Sequence, residues 1–211
     1  MVQMFRPLEE DPTLRTGSLT VISGSMFSGK TEELIRLSRR ALYARRRVQV
    51  FKHALETRSE HGEIRSHNGI PHEAIPVSSS AELLEKVDPS TGVVAVEEAH
   101  FFDAGIVEAC RQLADSGYEV IVAGLDMDFR GEPFGPMPAL LAEADEVAKL
   151  RASCARCGRD AARSQRLIDG RPAPASAPII LVGAEESYEA RCRHCHEVPE
   201  GGVFQYGLPG V

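Results

Sequence analysis

The run Gly24-Ser25-Met26-Phe27-Ser28-Gly29-Lys30-Thr31 narrows what this chain can fold into more than any other stretch. It fits G-x-x-x-x-G-K-[ST], the phosphate-cradling loop that joins a buried strand to a helix. Both partners are present in the flanks. Leu19-Thr20-Val21-Ile22 is an apolar run that reads as a strand, and Leu34, Ile35, Leu37, Ala41 and Leu42 then recur at helical spacing. Glycines let the backbone curl until its N–H groups converge, and a helix N-terminus adds partial positive charge. In such a loop Lys30 reaches the β- and γ-phosphates and the Thr31 hydroxyl ligates Mg²⁺. The sequence therefore predicts a nucleotide-binding α/β protein.

Composition bounds the rest. A chain of 211 residues can bury one substantial core plus a small appendage. Its formal net charge of −7 argues against duplex nucleic acid as the main partner, which normally meets a basic face. No stretch approaches the ~20 apolar residues of a membrane span. Residues 1–16 carry Glu9, Glu10 and Asp11 and no apolar core, so they read as a loose extension rather than a signal peptide. Of the five cysteines, all but Cys110 fall in C-x-x-C pairs, which fits a reducing, cytoplasmic setting and a metal rather than disulfides.

A second motif follows a second strand candidate, Val48-Gln49-Val50-Phe51. Arg45-Arg46-Arg47 before that strand reads as the solvated end of the first helix. Residues 53–75 read as a flexible loop or loose hairpin, with His53, His61, His67 and His72 on its surface. A short helix is expected over 80–87, capped by Ser79 or Ser80. Then Gly92-Val93-Val94-Ala95-Val96 runs straight into Glu97-Glu98. Acids at the end of such a strand suit the Mg²⁺ shell of a P-loop enzyme. Adjacent strand residues face opposite ways, so the two acids are expected to do different jobs. The strand-end run Glu97-Glu98-Ala99-His100 is counted with residues 24–31 as the ATP–Mg²⁺ site, Thr31 and Glu97 being the Mg²⁺ residues.

Beyond it, a helix over 104–116 buries Cys110 as a core residue, and a strand over 118–123 opens into a loop at 124–138 rich in aromatics, glycine and proline. A helix near 139–144 and a strand over about 146–153 close the core. The third motif is Cys154-Ala155-Arg156-Cys157 with Cys192-Arg193-His194-Cys195. Two facing C-x-x-C turns offer four thiolates, a closed structural zinc site with no position left for catalysis; His194 and His196 are not needed. Positions 158–191 form an excursion pinned at both ends, with Pro178-Ile179-Ile180-Leu181-Val182-Gly183 and Tyr188 inside it. The expected architecture is an extension at 1–16, a core at 17–150 and a zinc-binding unit at 151–211.

Taken together, the Met-Phe P-loop, the strand ending Glu97-Glu98-x-x-Phe-Phe, the run Gly-Leu-Asp-Met-Asp-Phe-Arg-Gly-x-Pro-Phe-Gly from Gly124 and the paired C-x-x-C resemble the zinc-bearing P-loop thymidine kinases over residues 18–196. The resemblance implies a RecA-like P-loop core with a parallel sheet, plus a small zinc-binding lasso domain. It implies ATP-dependent phosphorylation of the thymidine 5′-hydroxyl, a homotetramer, and feedback inhibition by thymidine triphosphate. By position it makes Glu98 the catalytic base, with Lys30 and with Arg58 near the reacting phosphate. It places Met26, Phe101, Leu125, Phe129 and Phe134 around the thymine, and Leu181, Val182, Gly183 and Tyr188 in the lasso. Two positions depart from the family pattern: Glu97 stands where Asp is usual, and His100 where Gln is usual. The rival readings are a kinase for another nucleoside, a zinc-ribbon ATPase acting on nucleic acid, and a relative impaired through Glu97.

Overall fold

The computed structural model describes residues 17–55, 63–65, 71–179 and 187–200. Its centre is a six-stranded, all-parallel sheet. Strand β1 (Ser18–Ser23) leads into the glycine loop, and α1 (Lys30–Tyr43) leaves it. After β2 (Val48–His53), a small antiparallel pair forms from β3 (Glu63–Arg65) and β4 (Pro71–Glu73), the loose hairpin expected there. The edge strand β5 (Ile75–Val77) and α2 (Ser80–Lys86) follow, then β6 (Val93–Glu97), α3 (Gly105–Asp115) and β7 (Glu119–Gly124). Helix α4 (Met137–Glu143) and β8 (Glu146–Lys149) complete the core, in the order β5-β2-β6-β7-β1-β8.

Strand periodicity sorts the core into two layers. Val94, Val96, Val120 and Val122 pack on one face with Leu83, Ile106, Cys110 and Leu140 from α2, α3 and α4. Val93, Ala95, Ile121 and Ala123 pack on the other with Leu34, Ile35 and Ala41 of α1. Helices on both faces require near-continuous apolar strands, and β6 is buried along its whole length. Cys110 is a core residue as expected, its thiol pushed up to about 12 by burial. Ser79 is the cap of α2, its hydroxyl accepting the Glu82 N–H at 3.2 Å. Among the described residues no helix is long and apolar enough to cross a membrane.

Beyond the sheet lie β9 (Ala152–Ser153), β10 (Asp160–Ala161), β11 (Arg163–Ile168), β12 (Arg171–Pro172) and β13 (Ser187–Arg191). They form an antiparallel β9–β10 pair and a β12-β11-β13 sheet. This is the α/β protein with a small cysteine-bearing unit that the sequence predicts.

Several local expectations are corrected. The strand expected over 146–153 breaks: β8 runs parallel to β1 only to Ser23, where the glycine loop removes its partner, and residues 152–153 join β10 instead. Helix α4 starts at Met137 rather than 139, since Pro136 and Pro138 fit a first turn that needs no N–H donors. Leu42, expected on the apolar face of α1, is exposed in the last turn. His53 is not a surface residue; it ends β2 at 7% exposure, edge-on to Phe102, with Nδ1 accepting the Leu55 N–H. His61 and His67 lie outside the described residues, as do residues 1–16. Arg45, Arg46 and Arg47 are exposed, Arg46 meeting Glu119 and Gly92 O and Arg47 meeting Asp88 and Ser90.

Candidate active site

The glycine loop lies at the C-terminal end of β1, the side of an open α/β sheet where ligands bind. Gly24 adopts φ 148°, and a Cβ there would stand 2.6 Å from Leu150 O, so only glycine fits the start of the curl. Gly29, at φ 86°, enters α1. Phe27 takes φ 64° at the exposed apex. Lys30 Nζ folds back to donate to Ser25 O at 2.9 Å. Ser28 Oγ is buried inside the curl with no hydrogen-bond partner among the described residues, a polar cradle that suits phosphate oxygens. Met26 N–H is committed elsewhere, donating to Ser164 Oγ of β11 at 2.9 Å.

Carboxylates surround the lysine. Burial lowers Lys30 below its ordinary value, and Glu98, Glu97, Asp126 and Glu32 oppose this, in falling order. Glu97 closes β6 and accepts a hydrogen bond from Thr31 Oγ1 at 2.5 Å. Burial first, then Glu98, pushes its carboxyl up to about 8, against the pull of Thr31 and Lys30. The side-by-side hydroxyl and carboxyl are hard oxygen donors of the kind Mg²⁺ takes.

Glu98 does not continue the strand. It sits in the left-handed region at φ 52°, ψ 44°, and starts the short 3₁₀ turn Ala99–Phe101. The alternating-face argument for the two acids therefore fails; the chain turns before it can apply, and Glu98 comes to share the neighbourhood of Lys30. A strained, non-glycine conformation held at a ligand site is a common mark of function. Glu98 Oε2 stands 3.4 Å from His100 Nδ1. That nitrogen accepts the Leu125 N–H at 3.1 Å, which leaves the ring proton on Nε2.

His100 is buried, packed against Phe101 at 4.2 Å and Phe134 at 4.7 Å between ring centroids. Phe101 and Phe134 themselves meet edge to face. Gly135 lets this wall close, because a Cβ there would stand 2.5 Å from His100 O. The loop after β7 is shaped by Asp128, whose Oδ1 accepts the Arg130 and Glu132 N–H groups. Phe129 is buried at its tip, against Ala173, Ala177, Ile168 and Tyr188.

The four sulfurs of Cys154, Cys157, Cys192 and Cys195 lie within 4.8 Å of one another. Cys157 and Cys192 are 3.7 Å apart, too far for a disulfide and close to the ~3.8 Å edge of a tetrahedron with Zn–S bonds of ~2.3 Å. Burial alone would raise Cys154, but backbone N–H groups of Cys192, Arg156 and Cys157 bring it down to about 6. Cys195 is pushed up to about 12, chiefly by the neighbouring Cys192 sulfur and by burial. His194 is exposed, and His196 Nε2 donates to Phe129 O at 2.8 Å, so neither competes for the site. The residues present fit zinc.

A thymidine kinase family profile matches residues 17–196. The chain belongs to the thymidine kinase family. Among solved structures it is similar to domain III of the Thermotoga maritima replication initiation protein DnaA, at 17% identity and a TM-score of 0.39. That likeness covers 63% of this chain and 54% of the other, and is too loose to carry an argument.

For a member of the thymidine kinase family, the structure gathers Lys30, Thr31, Glu97 and Glu98 at one end of the sheet, with Ala99 buried in the turn and His100, Phe101 and Phe134 stacked beside them. Met26 and Leu125 are half-buried. Phe129 and Tyr188 form a second aromatic group. Arg58, Leu181, Val182 and Gly183 lie outside the described residues. Sequence reasoning missed Asp126, buried just past β7 and paired with Lys149 Nζ at 2.8 Å. The signal was there: an acid following an apolar strand, the same pattern that marked Glu97. It also missed β11, whose Ser164 reaches the P-loop and whose Arg163 Nη1 donates to Gly131 O at 2.8 Å.

Proposed function

We propose that the chain transfers the γ-phosphoryl group of ATP to the 5′-hydroxyl of thymidine, giving thymidine monophosphate and ADP. The observation that carries this reading is the convergence of Lys30, the Thr31–Glu97 pair and Glu98 beside the stacked rings of His100, Phe101 and Phe134, in a chain of this family. The loop residues Gly24, Ser25, Met26, Phe27, Ser28 and Gly29 hold the triphosphate with Lys30. Thr31 and Glu97 would hold Mg²⁺, which would supply positive charge against the phosphates. Glu98 accepts the hydroxyl proton, and Arg58 offsets charge at the reacting phosphate. Thymine is enclosed by Met26, Phe101, Leu125, Phe129, Phe134 and Tyr188, together with the lasso at 181–183; aromatic walls exclude water while backbone groups read the base edge. A base contributes about 10²–10⁴-fold, and positioning and electrostatics supply the remainder.

Zinc in this reading is structural. The chain divides into an extension at 1–16, a kinase core at 17–150 and a zinc and lasso unit at 151–211. It acts in the cytoplasm as a homotetramer and is inhibited by thymidine triphosphate. The test is ATP consumption by the full chain with and without thymidine, with identification of the product, run beside a panel of other nucleosides. Thymidine-dependent ADP formation with thymidine monophosphate as product is expected. ATP turnover indifferent to thymidine, or greater turnover with another nucleoside, would sink the reading.

A further inference from the structure

We propose that Arg166 is a positioning residue for the nucleoside pocket, its guanidinium fixing the rings of Phe129 and Tyr188 against the backbone at Pro178 and Ile179. The proposal rests on the reading of those two rings as pocket walls. Arg166 is 2% exposed, in the middle of β11 and directly opposite Tyr188 in the β11–β13 register. Its Nε donates to the Tyr188 hydroxyl at 2.8 Å. Its Nη2 donates to Ile179 O at 2.7 Å, and its Nη1 to Pro178 O. The guanidinium carbon lies 4.5 Å from the Phe129 ring centroid and 5.4 Å from that of Tyr188.

Arginine is the one side chain that can do all of this. Its N–H groups leave a rigid plane in fixed directions, so three acceptors on two segments are held in one geometry, while the flat cation lies against aromatic faces. It ties the loop after β7 to the strand β13 and the chain at 178–179, some fifty residues further on. Removing the guanidinium outright strands three acceptors and costs stability as well, so the telling change is Arg166→Lys, which keeps a charged donor among them and should cost thymidine affinity more than stability.

The test measures kcat, the KM for thymidine, the KM for ATP, zinc per chain and the thermal midpoint on the full-length parent, Arg166→Lys, Arg166→Met, Tyr188→Phe and the double variant Arg166→Lys/Tyr188→Phe. Arg166→Lys keeps the charge but cannot serve three acceptors at once. It should hold its zinc and raise the thymidine KM about tenfold, the scale of a lost charge-assisted hydrogen bond, with kcat and the ATP KM within about twofold. Arg166→Met should raise it further; if that variant fails to fold, Arg166→Lys decides. The double variant should be little worse than its weaker parent, because both changes break the same link. A thymidine KM within about twofold of the parent in the folded Arg166 variants would overturn the role, as would additive effects. A joint decline of kcat and both KM values would also overturn it, since that is the mark of a general structural residue. Absence of thymidine turnover in the parent, read before any variant, would instead overturn the reading on which the proposal stands.

Discussion

Two clusters of ionisable groups face each other in kind, one of carboxylates around Lys30 and one of thiols, and the chain assembles them by different means. The first hangs on β1, β6 and β7, strands buried almost throughout and packed against Leu, Ile and Val side chains on both faces. The second sits on the two-residue strands β9 and β10 and the end of β13, and its core consists of the cysteines with Ala152, Ala161 and Ala190. Alanines bury too little apolar surface to order such a unit. The sheet thus holds its charges in place before any ligand arrives, at a cost visible in the raised carboxyl of Glu97. In the structural-zinc reading proposed above, the ion would supply the folding energy that this small core lacks.

Metal removal tests that contrast hardest. Chelation, or Cys154→Ser, should cost a large part of the roughly 10 kcal/mol or more that structural zinc supplies in small metal-dependent folds. Hydrogen exchange should rise sharply in β9, β10, β11 and β13 while the amides of β6 and β7 stay protected. Damage should then reach the P-loop through two contacts, Ser25 Oγ to Ala161 O and Met26 N–H to Ser164 Oγ, so ATP should bind more weakly. Unchanged protection of β11 in a zinc-free sample would remove the distinction between the two clusters.

Next in size is Glu98→Gln, which touches only the sheet-held cluster. It keeps the side chain's volume and removes the basic oxygen, so turnover should fall by about 10²–10⁴-fold. Zinc content, stability and ATP affinity should hardly move. Near-normal turnover would pass the role of base elsewhere and leave the left-handed turn at Glu98 without a functional account.

What could be read in advance divides along the same line. The P-loop, the Glu97 strand and both faces of the sheet were legible because buried parallel strands demand unbroken apolar runs, and those runs end where the chemistry begins. The four cysteines were legible because a closed tetrahedral site fixes its own spacing. The division of labour expected between Glu97 and Glu98 from strand alternation does not follow, since alternation says nothing once φ turns positive. Strand β11 was not foreseen: the excursion at 158–191 was given no strand there, yet Gln165 and Arg166 are buried, their polar atoms bonded to Glu197, Tyr188, Pro178 and Ile179. Such partners come from distant segments, and no local pattern announces them. His53 misled in the same way, because its environment is Phe102 rather than its sequence neighbours.

The smallest predicted effect sharpens the comparison most finely, because it asks whether the sheet-held cluster stores a proton where a metal belongs. Glu97 is pushed up to about 8 from an ordinary 4.5, by burial first and by Glu98 second. The folded state therefore holds this proton more tightly than the unfolded chain. The stability so contributed is complete below about 4.5, the unfolded value, and is lost as pH rises through about 8. Glu97→Gln has no such proton to lose. In metal-free protein its thermal midpoint should draw ahead of the parent's as pH goes from 5 to 9, with the two close together at the acid end. Mg²⁺–ATP, if held through Glu97, should expel the proton, so the heat of binding at pH 7 should vary with the buffer's ionisation enthalpy in the parent and much less in Glu97→Gln. The variant should also need more Mg²⁺ for half-maximal activity. Parallel midpoints across the whole range, together with buffer-independent heats, would mean that Glu97 is already ionised beside Lys30 and that the sheet pays nothing to keep it there.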